Sequence, residues 1–421
     1  MAVRAGLGVL SIHVDPSVVP EHGLAVRTVD VARLWAEIRP VAVRVQVKTE
    51  LLAWARDRSG LAREDLAHRF PGLASWERGE APTLKQPEEF ARVTRTAIGF
   101  LLLAEPPEDH LPIPDFRTMR NDRARRPSPD LLDTIYQCQQ RQEWYRTFAE
   151  LNREDPPTFV GSLTLGTDPI EAANQLRHRL GFQIEERGPT WASALGRLAS
   201  QGESVGILVM TSGVVGSNTH RKLDPEEFRG FALVDRLAPV VFVNGADTKA
   251  AQIFTLAHEF AHVWLGESAV SDASLAAPSN NAAEAWCNQV AAEVLVPLGV
   301  LRSQFDQGSA LPAELDRLAR LFKASTLVVL RRVHDAGYLS WEAYRRAYTA
   351  ELERVLAFMG DRASSGGNFY HTQPIRTSRR FTEAVIGSTL EGHTLYSDAF
   401  QMLGFKRLAT FNELARRLGV P

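Results

Sequence analysis

Apolar residues recur along this chain with two periods, and the changes between them divide it into regions. The alternation Val41-Ala42-Val43-Arg44-Val45-Gln46-Val47 predicts a strand. From Glu50 the spacing turns helical, through Leu51, Leu52 and Ala55, then Leu61, Leu66 and Ala67, then Phe90, Val93, Ile98 and Leu101. Glu105 to Pro114 holds Pro106, Pro107, Pro112 and Pro114, which excludes helix and predicts a linker. A second linker-like patch, Arg120 to Pro129, carries Arg120, Arg123, Arg125 and Arg126 and is broken by Pro127. A long helix follows from Asp130 to about Asn152, with Leu131, Ile135, Trp144, Tyr145 and Phe148 as its apolar contacts. Asp168-Pro169 makes a helix start, with the carboxylate as cap and proline in the first turn. Ser204 to Met210 and Pro239 to Asn244 predict strands, the second closed by the turn Gly245-Ala246-Asp247.

Two strongly apolar helices come next. The first surrounds His258-Glu259-Phe260-Ala261-His262 with Ile253, Phe254, Leu256, Ala257 and Trp264, and stops at Gly266. The second runs from Glu284 to Val296 and is halted by Pro297. Leu315 to Ser340 reads as two short helices around Lys323-Ala324-Ser325-Thr326, a helical buttress that could equally pass for a second helix-turn-helix. The tail opens with Gly366-Gly367 and ends in the amphipathic stretch Thr410 to Leu418, to which the residues assign no chemistry.

The pentad at 258–262 is the feature with chemical meaning. At 3.6 residues per turn, His258 and His262 stand one above the other on one helix face, where two imidazoles can reach one metal ion. Glu259, the next residue, can hold a water against that ion and act as general base. A hydrolytic zinc site takes three protein ligands and keeps one position open. Glu284, 22 residues beyond His262, is the natural third ligand. Glu293 competes, but nine residues on, about 900° around the same helix, it points to the opposite side. Asn288 shares the Glu284 face and could support it from behind. Cys287 beside it reads as a small buried residue, with metal ligation as the alternative. The ligand types favour Zn2+ and are compatible with Mn2+ or Fe2+. For an oxyanion or substrate contact the candidates are His220, Tyr370 and His371, each of which could also serve an ordinary surface role.

On these residues the sequence resembles a known family. Phe254-Thr255-Leu256-Ala257-His258-Glu259-Phe260-Ala261-His262 is followed by Glu284-x-x-Cys287-Asn288-x-x-Ala291-Ala292-Glu293-x-Leu295-x-Pro297. Together with Asp224 to Ala232 and Phe242-Val243-Asn244, they resemble the ImmA/IrrE family of bacterial metallo-endopeptidases, over roughly 130 to 340. The resemblance implies that His258, His262 and Glu284 hold the metal and that Glu259 is the catalytic base. It also implies a helix-turn-helix repressor as protein substrate; an antitoxin-like partner is the other candidate.

Leu51 to Leu103 is similar to an XRE-type helix-turn-helix through Leu51 to Arg56, Glu64-Asp65-Leu66-Ala67 and Trp76-Glu77-Arg78-Gly79. It departs where the recognition helix belongs. Only eight residues separate Ala67 from Trp76, and they include Pro71-Gly72. That is too short for the usual base contacts. Local acids offset the basic residues, so DNA-binding residues are not assigned and a docking or autoregulatory role is preferred.

Composition then restricts the setting. A formal charge of −2 over 421 residues, with 44% apolar content, predicts two or three globular domains without a polybasic tail. Two cysteines imply no disulfide framework. No apolar run reaches the ~20 residues that span a bilayer, and Met1 to Pro20 lacks a signal-peptide pattern, so the expected location is cytoplasmic. The expected fold is α+β and mainly helical. Its parts are an N-terminal region (1–105) with a helix-turn-helix-like module at about 50–103, a linker (106–129), a zincin-like metallopeptidase domain (130–300), a helical segment (301–350) and a helical or mixed C-terminal extension (351–421).

Overall fold

The computed structural model describes residues 43–107, 111–115, 127–271, 281–359 and 369–420. Among these residues, 17 α-helices surround one four-stranded mixed sheet. No helix among them is long and apolar enough to cross a membrane.

The N-terminal module is helical, as its periodicity predicts. It comprises α1 (Thr49–Ser59), α2 (Arg63–Arg69), α3 (Leu73–Trp76), α4 (Lys85–Val93) and a 3-10 turn at Ile98–Leu102. Phe70, Trp76 and Phe90 meet at ring-centroid distances of 5.5–6.3 Å and form the centre of its own small core. The predicted strand at 41–47 is not one. Among its described residues, Arg44 makes only an isolated bridge to Thr83, and residues 41 and 42 lie outside the described residues. Alternation alone does not make a strand where no neighbouring strand is available to pair.

The larger unit begins with α5 (Pro129–Leu151), α6 (Pro169–Leu180) and α7 (Trp191–Ser204). Asp168 caps α6 as predicted, accepting hydrogen bonds from the amides of Ile170 (2.9 Å) and Glu171 (3.2 Å). The strands are β1 (Leu208–Ser212), β2 (Gly230–Leu233), β3 (Val240–Asn244) and β4 (Ala269–Ser271), with α8 (Lys249–Leu265) between the last two. The strand expected from Ser204 starts four residues later, because the α7 helix continues through Ser204. The helices after the sheet are α9 (Ala282–Leu295), α10 (Leu298–Gln304), α11 (Leu311–Phe322), α12 (Thr326–Asp335) and α13 (Trp341–Met359). The tail supplies α14 (Phe369–Thr377), α15 (Arg379–Leu390), α16 (Tyr396–Leu403) and α17 (Leu408–Leu418).

The sheet order is β1-β3-β2-β4, with β1 parallel to β3 and β2 antiparallel to both its neighbours. Its residues alternate between two cores, as the period of 2 requires. Val209, Val241 and Val243 face the core shared with α6 to α9, α11 and α12. Leu208, Met210, Val240 and Phe242 face the core shared with α5 and α15 to α17. With helices on both faces the sheet is buried at all but Thr211 of β1 to β3, which is why its strands read as largely apolar runs.

Candidate metal centre

Helix α8 is set at both ends by its own sequence. Thr248 caps the first turn, accepting from the Ala251 amide at 3.2 Å, and Gln252 donates to the carbonyls of Gly245 and Asp247. At the far end Gly266 takes a left-handed conformation (φ 83°) and its amide returns to the His262 carbonyl at 2.9 Å. Every residue from Gln252 to Trp264 is buried. The helix is therefore enclosed between the sheet and its neighbours, and His258, Glu259 and His262 are all 0% exposed.

Glu284 reaches the same point from α9. The side chain of Asn281 caps that helix, accepting from the amides of Ala283 (2.8 Å) and Glu284 (3.3 Å), so the first turn is held where the carboxylate projects. The Nε2 atoms of His258 and His262 lie 3.1 Å apart. Oε1 of Glu284 is 3.1 Å from His262 Nε2, and Oε2 is 3.3 Å from His258 Nε2. An ion about 2.0–2.1 Å from each of three ligand atoms at tetrahedral angles separates those atoms by about 3.3 Å. The residues present fit a zinc-sized ion, and this is the one group among the described residues whose ligand atoms converge so.

Electrostatics suits the same arrangement. Burial alone would raise the Glu284 carboxyl, but His258 and His262 hold it well below the usual carboxylate range. Burial lowers His262, opposed in part by its hydrogen bond to Glu284 and reinforced by His258. A lowered proton affinity at His262 and at Glu284 favours the forms that a divalent cation binds, a neutral imidazole and a carboxylate. Glu259 differs. Burial, and then the nearby charge of Glu284, push its carboxyl well above the ordinary value. Its two oxygens are buried, and the Ser271 hydroxyl is the polar neighbour that opposes the rise. A buried carboxylate so sparsely bonded is costly unless something more that is polar enters beside it.

The sequence assigns no role in the site to two neighbours. Ser271, at the end of edge strand β4, donates to Glu284 Oε1 at 3.2 Å and lies 3.4 Å from His262 Nε2. Nothing in the local sequence marks this serine, since only the return of β4 beside β2 brings it to the ligands. Gly230, the first residue of β2, faces Glu259: a Cβ there would sit 2.9 Å from Glu259 Oε1 and 2.6 Å from the Thr255 methyl. Asn281, by contrast, carried a legible signal, an N-cap residue three positions before a glutamate.

The other candidates differ in where they stand. Glu293 is bonded to Arg332 and accepts from the Leu298 amide, so its carboxylate is engaged away from the histidines. Cys287 is buried, its thiol raised well above the ordinary value by burial, and it is not among the converging ligand atoms. Asn288 is buried one turn beyond Glu284. His220 is exposed on the turn after β1, outside the converging group. Tyr370 and His371 belong to α14 by backbone, and their side chains lie outside the described residues.

Residues 203–334 match the family model of the IrrE N-terminal-like domain, a peptidase family, and residues 377–417 match a domain of unknown function (DUF8813). No curated protein matches the chain. The first match supports a metallopeptidase of the ImmA/IrrE type. It spans β1 to α12, and therefore the whole candidate centre; α5 to α7 lie wholly or almost wholly before it.

Proposed function

We propose that this protein is a zinc-dependent endopeptidase that cleaves a regulatory protein of the helix-turn-helix repressor or antitoxin-like class. One observation carries the reading. His258 and His262 present their Nε2 atoms 3.1 Å apart, the two oxygens of Glu284 lie 3.1 and 3.3 Å from them, close to the spacing that a tetrahedral ion sets, and the next residue along α8 is the buried carboxyl of Glu259. In this reading His258, His262 and Glu284 hold the ion, which supplies Lewis acidity toward water and the scissile carbonyl. Glu259 takes the proton of the attacking water and delivers it to the leaving amine nitrogen. Its raised proton affinity suits both steps, because a carboxyl that holds a proton more firmly than an ordinary one can take it from the water and keep it for the amine. Ser271 orients Glu284 through its hydroxyl, as the group behind a ligand commonly does.

The choice of substrate rests on the family match and on the N-terminal module as a docking element. The competing reading, a DNA reader with a structural metal, has less support. Helix α3 is four residues long, and both Leu73 and Trp76 are turned into the module's core. The test is Glu259→Gln. It should bind zinc at the wild-type ratio by elemental analysis while losing cleavage of proteins encoded beside its gene by at least about 100-fold, the scale of a lost general base. Normal cleavage by this variant would refute the mechanism. Wild-type protein without bound metal would refute the site.

A further inference from the structure

A strand at the rim of a sheet offers its outward N–H and C=O groups to any extended chain that comes beside it. One rim of this sheet is β4, paired on its inner side with β2. Its last residue, Ser271, touches Glu284 and His262. A chain paired along β4 is therefore led to the metal centre. The protein's own chain holds that place. Val270 turns its amide outward and donates to the Pro114 carbonyl at 2.9 Å, and Asp115 forms a parallel bridge with Val270. Leu111 and Ile113 lie half-buried against the core that includes Val270, whereas Pro112, Pro114 and Asp115 are exposed.

We propose that residues 111–115 form an autoinhibitory strap, which holds the β4 edge until an extended substrate chain displaces it. The inference rests on the endopeptidase reading and adds a regulation of the same site. By its own bonds the strap is a weak competitor. In an extended chain the N–H and C=O of one residue point to the same side, so Pro114, whose carbonyl faces β4, would need its N–H there too, and proline has none. Pro112, two residues earlier, has the same deficit. A substrate without proline at these places offers bonds that the strap cannot. Anchorage on both sides offsets this. Arg95 of the N-terminal module is ion-paired at 2.8 Å with Asp130 at the start of α5, whose other carboxylate oxygen Arg221 holds at 2.7 Å. The Arg95–Asp130 pair closes a loop across 35 positions that contains the strap, which raises the strap's effective concentration at β4. A partner that draws the module away opens this loop and frees the edge.

The test uses the full chain, with carboxymethylated casein as the extended probe. Arg95→Gln opens the loop, and Leu111→Ser with Ile113→Ser removes the strap's apolar anchorage. The Arg95 side chain is 40% exposed, so the first variant should fold even if the second does not. In either variant the Val270 amide should exchange its hydrogen about 10-fold faster or more, as local opening becomes easier. At equal zinc content, kcat/KM on casein should rise by about 10-fold or more, as the strap's effective concentration falls. With Glu259→Gln added to either variant, casein should restore protection at Val270 without being cut. Unchanged exchange, or faster exchange with unchanged cleavage by proteins that do cut casein, would overturn the proposal and leave the strap as a cover for the edge. If neither wild type nor variants cut casein, the endopeptidase reading is what suffers, and exchange still decides the strap. Casein that leaves Val270 unprotected in the opened Glu259→Gln protein would overturn it, and restored protection would sustain it.

Discussion

At the scale of single residues, Glu259 and Gly230 are bound by a steric condition. The buried carboxyl occupies the volume that any side chain at position 230 would need, since a Cβ there would also lie 2.8 Å from the Phe242 carbonyl. Gly230→Ala should therefore displace Glu259 while leaving the two histidines and Glu284 in place. Overpacking of this kind costs about 1–3 kcal/mol. The expected result is a protein that retains its zinc but loses most of its turnover, read by metal analysis beside kcat, with unfolding at lower denaturant. Unchanged kcat would mean that Glu259 has room the packing does not show. Ser271 is the complementary case, a polar group whose contacts with Glu284 and His262 come only from strand pairing.

At the scale of elements, α9 presents a ligand at one end and is gripped at the other. Arg187 is 1% exposed and donates to the carbonyls of Val294 (2.9 Å), Leu295 (2.6 Å) and Phe322 (2.6 Å). Arg177 donates to the Glu293 carbonyl at 2.5 Å, and Arg332 to the Val296 carbonyl at 3.0 Å as well as to the Glu293 carboxylate. Cations at a helix C-terminus satisfy its open carbonyls and suit its dipole. Breaking the buried pair leaves one charge stranded, so Glu293→Gln should cost about 3–5 kcal/mol by urea unfolding. Replacing both partners, as Glu293→Leu with Arg332→Met, should cost far less. Equal losses in the two proteins would show that the pair is not acting as a unit. The short α3 is legible in the same terms: eight residues containing Pro71-Gly72 leave space for one turn, and one turn is what forms.

At the scale of the molecule, the C-terminal extension is part of the core. Phe381, Val385, Ile386, Leu403, Phe411 and Leu414 are each 0% exposed and pack with Leu208, Met210, Phe231 and Phe242 of the sheet. Removing residues 369–421 would leave α5 alone on one face of the sheet and uncover the rest of that face. At about 25 cal/mol per Å² of apolar surface, such a loss exceeds the stability of an ordinary domain. A chain ending at residue 359 should be insoluble or lack a cooperative thermal transition, although the segment matched to the peptidase family is intact. A soluble truncated chain with a normal transition would show the extension to be an independent unit.

What the sequence determined by itself is what local spacing can encode. It placed His258 and His262 on one face, turned Glu293 away from Glu284, capped α6 at Asp168, ended α8 at Gly266, and left no length for a full third helix in the N-terminal module. Each follows from helix geometry, capping or proline over fewer than about a dozen residues. Tertiary structure alone decided which distant segments meet. Gly230 against Glu259, Ser271 against Glu284, the arginines behind α9 and the burial of the tail all join residues far apart in the chain. The failed strand at 41–47 has the same origin. Whether an alternating segment becomes a strand depends on a partner to pair with, and periodicity carries no information about that partner.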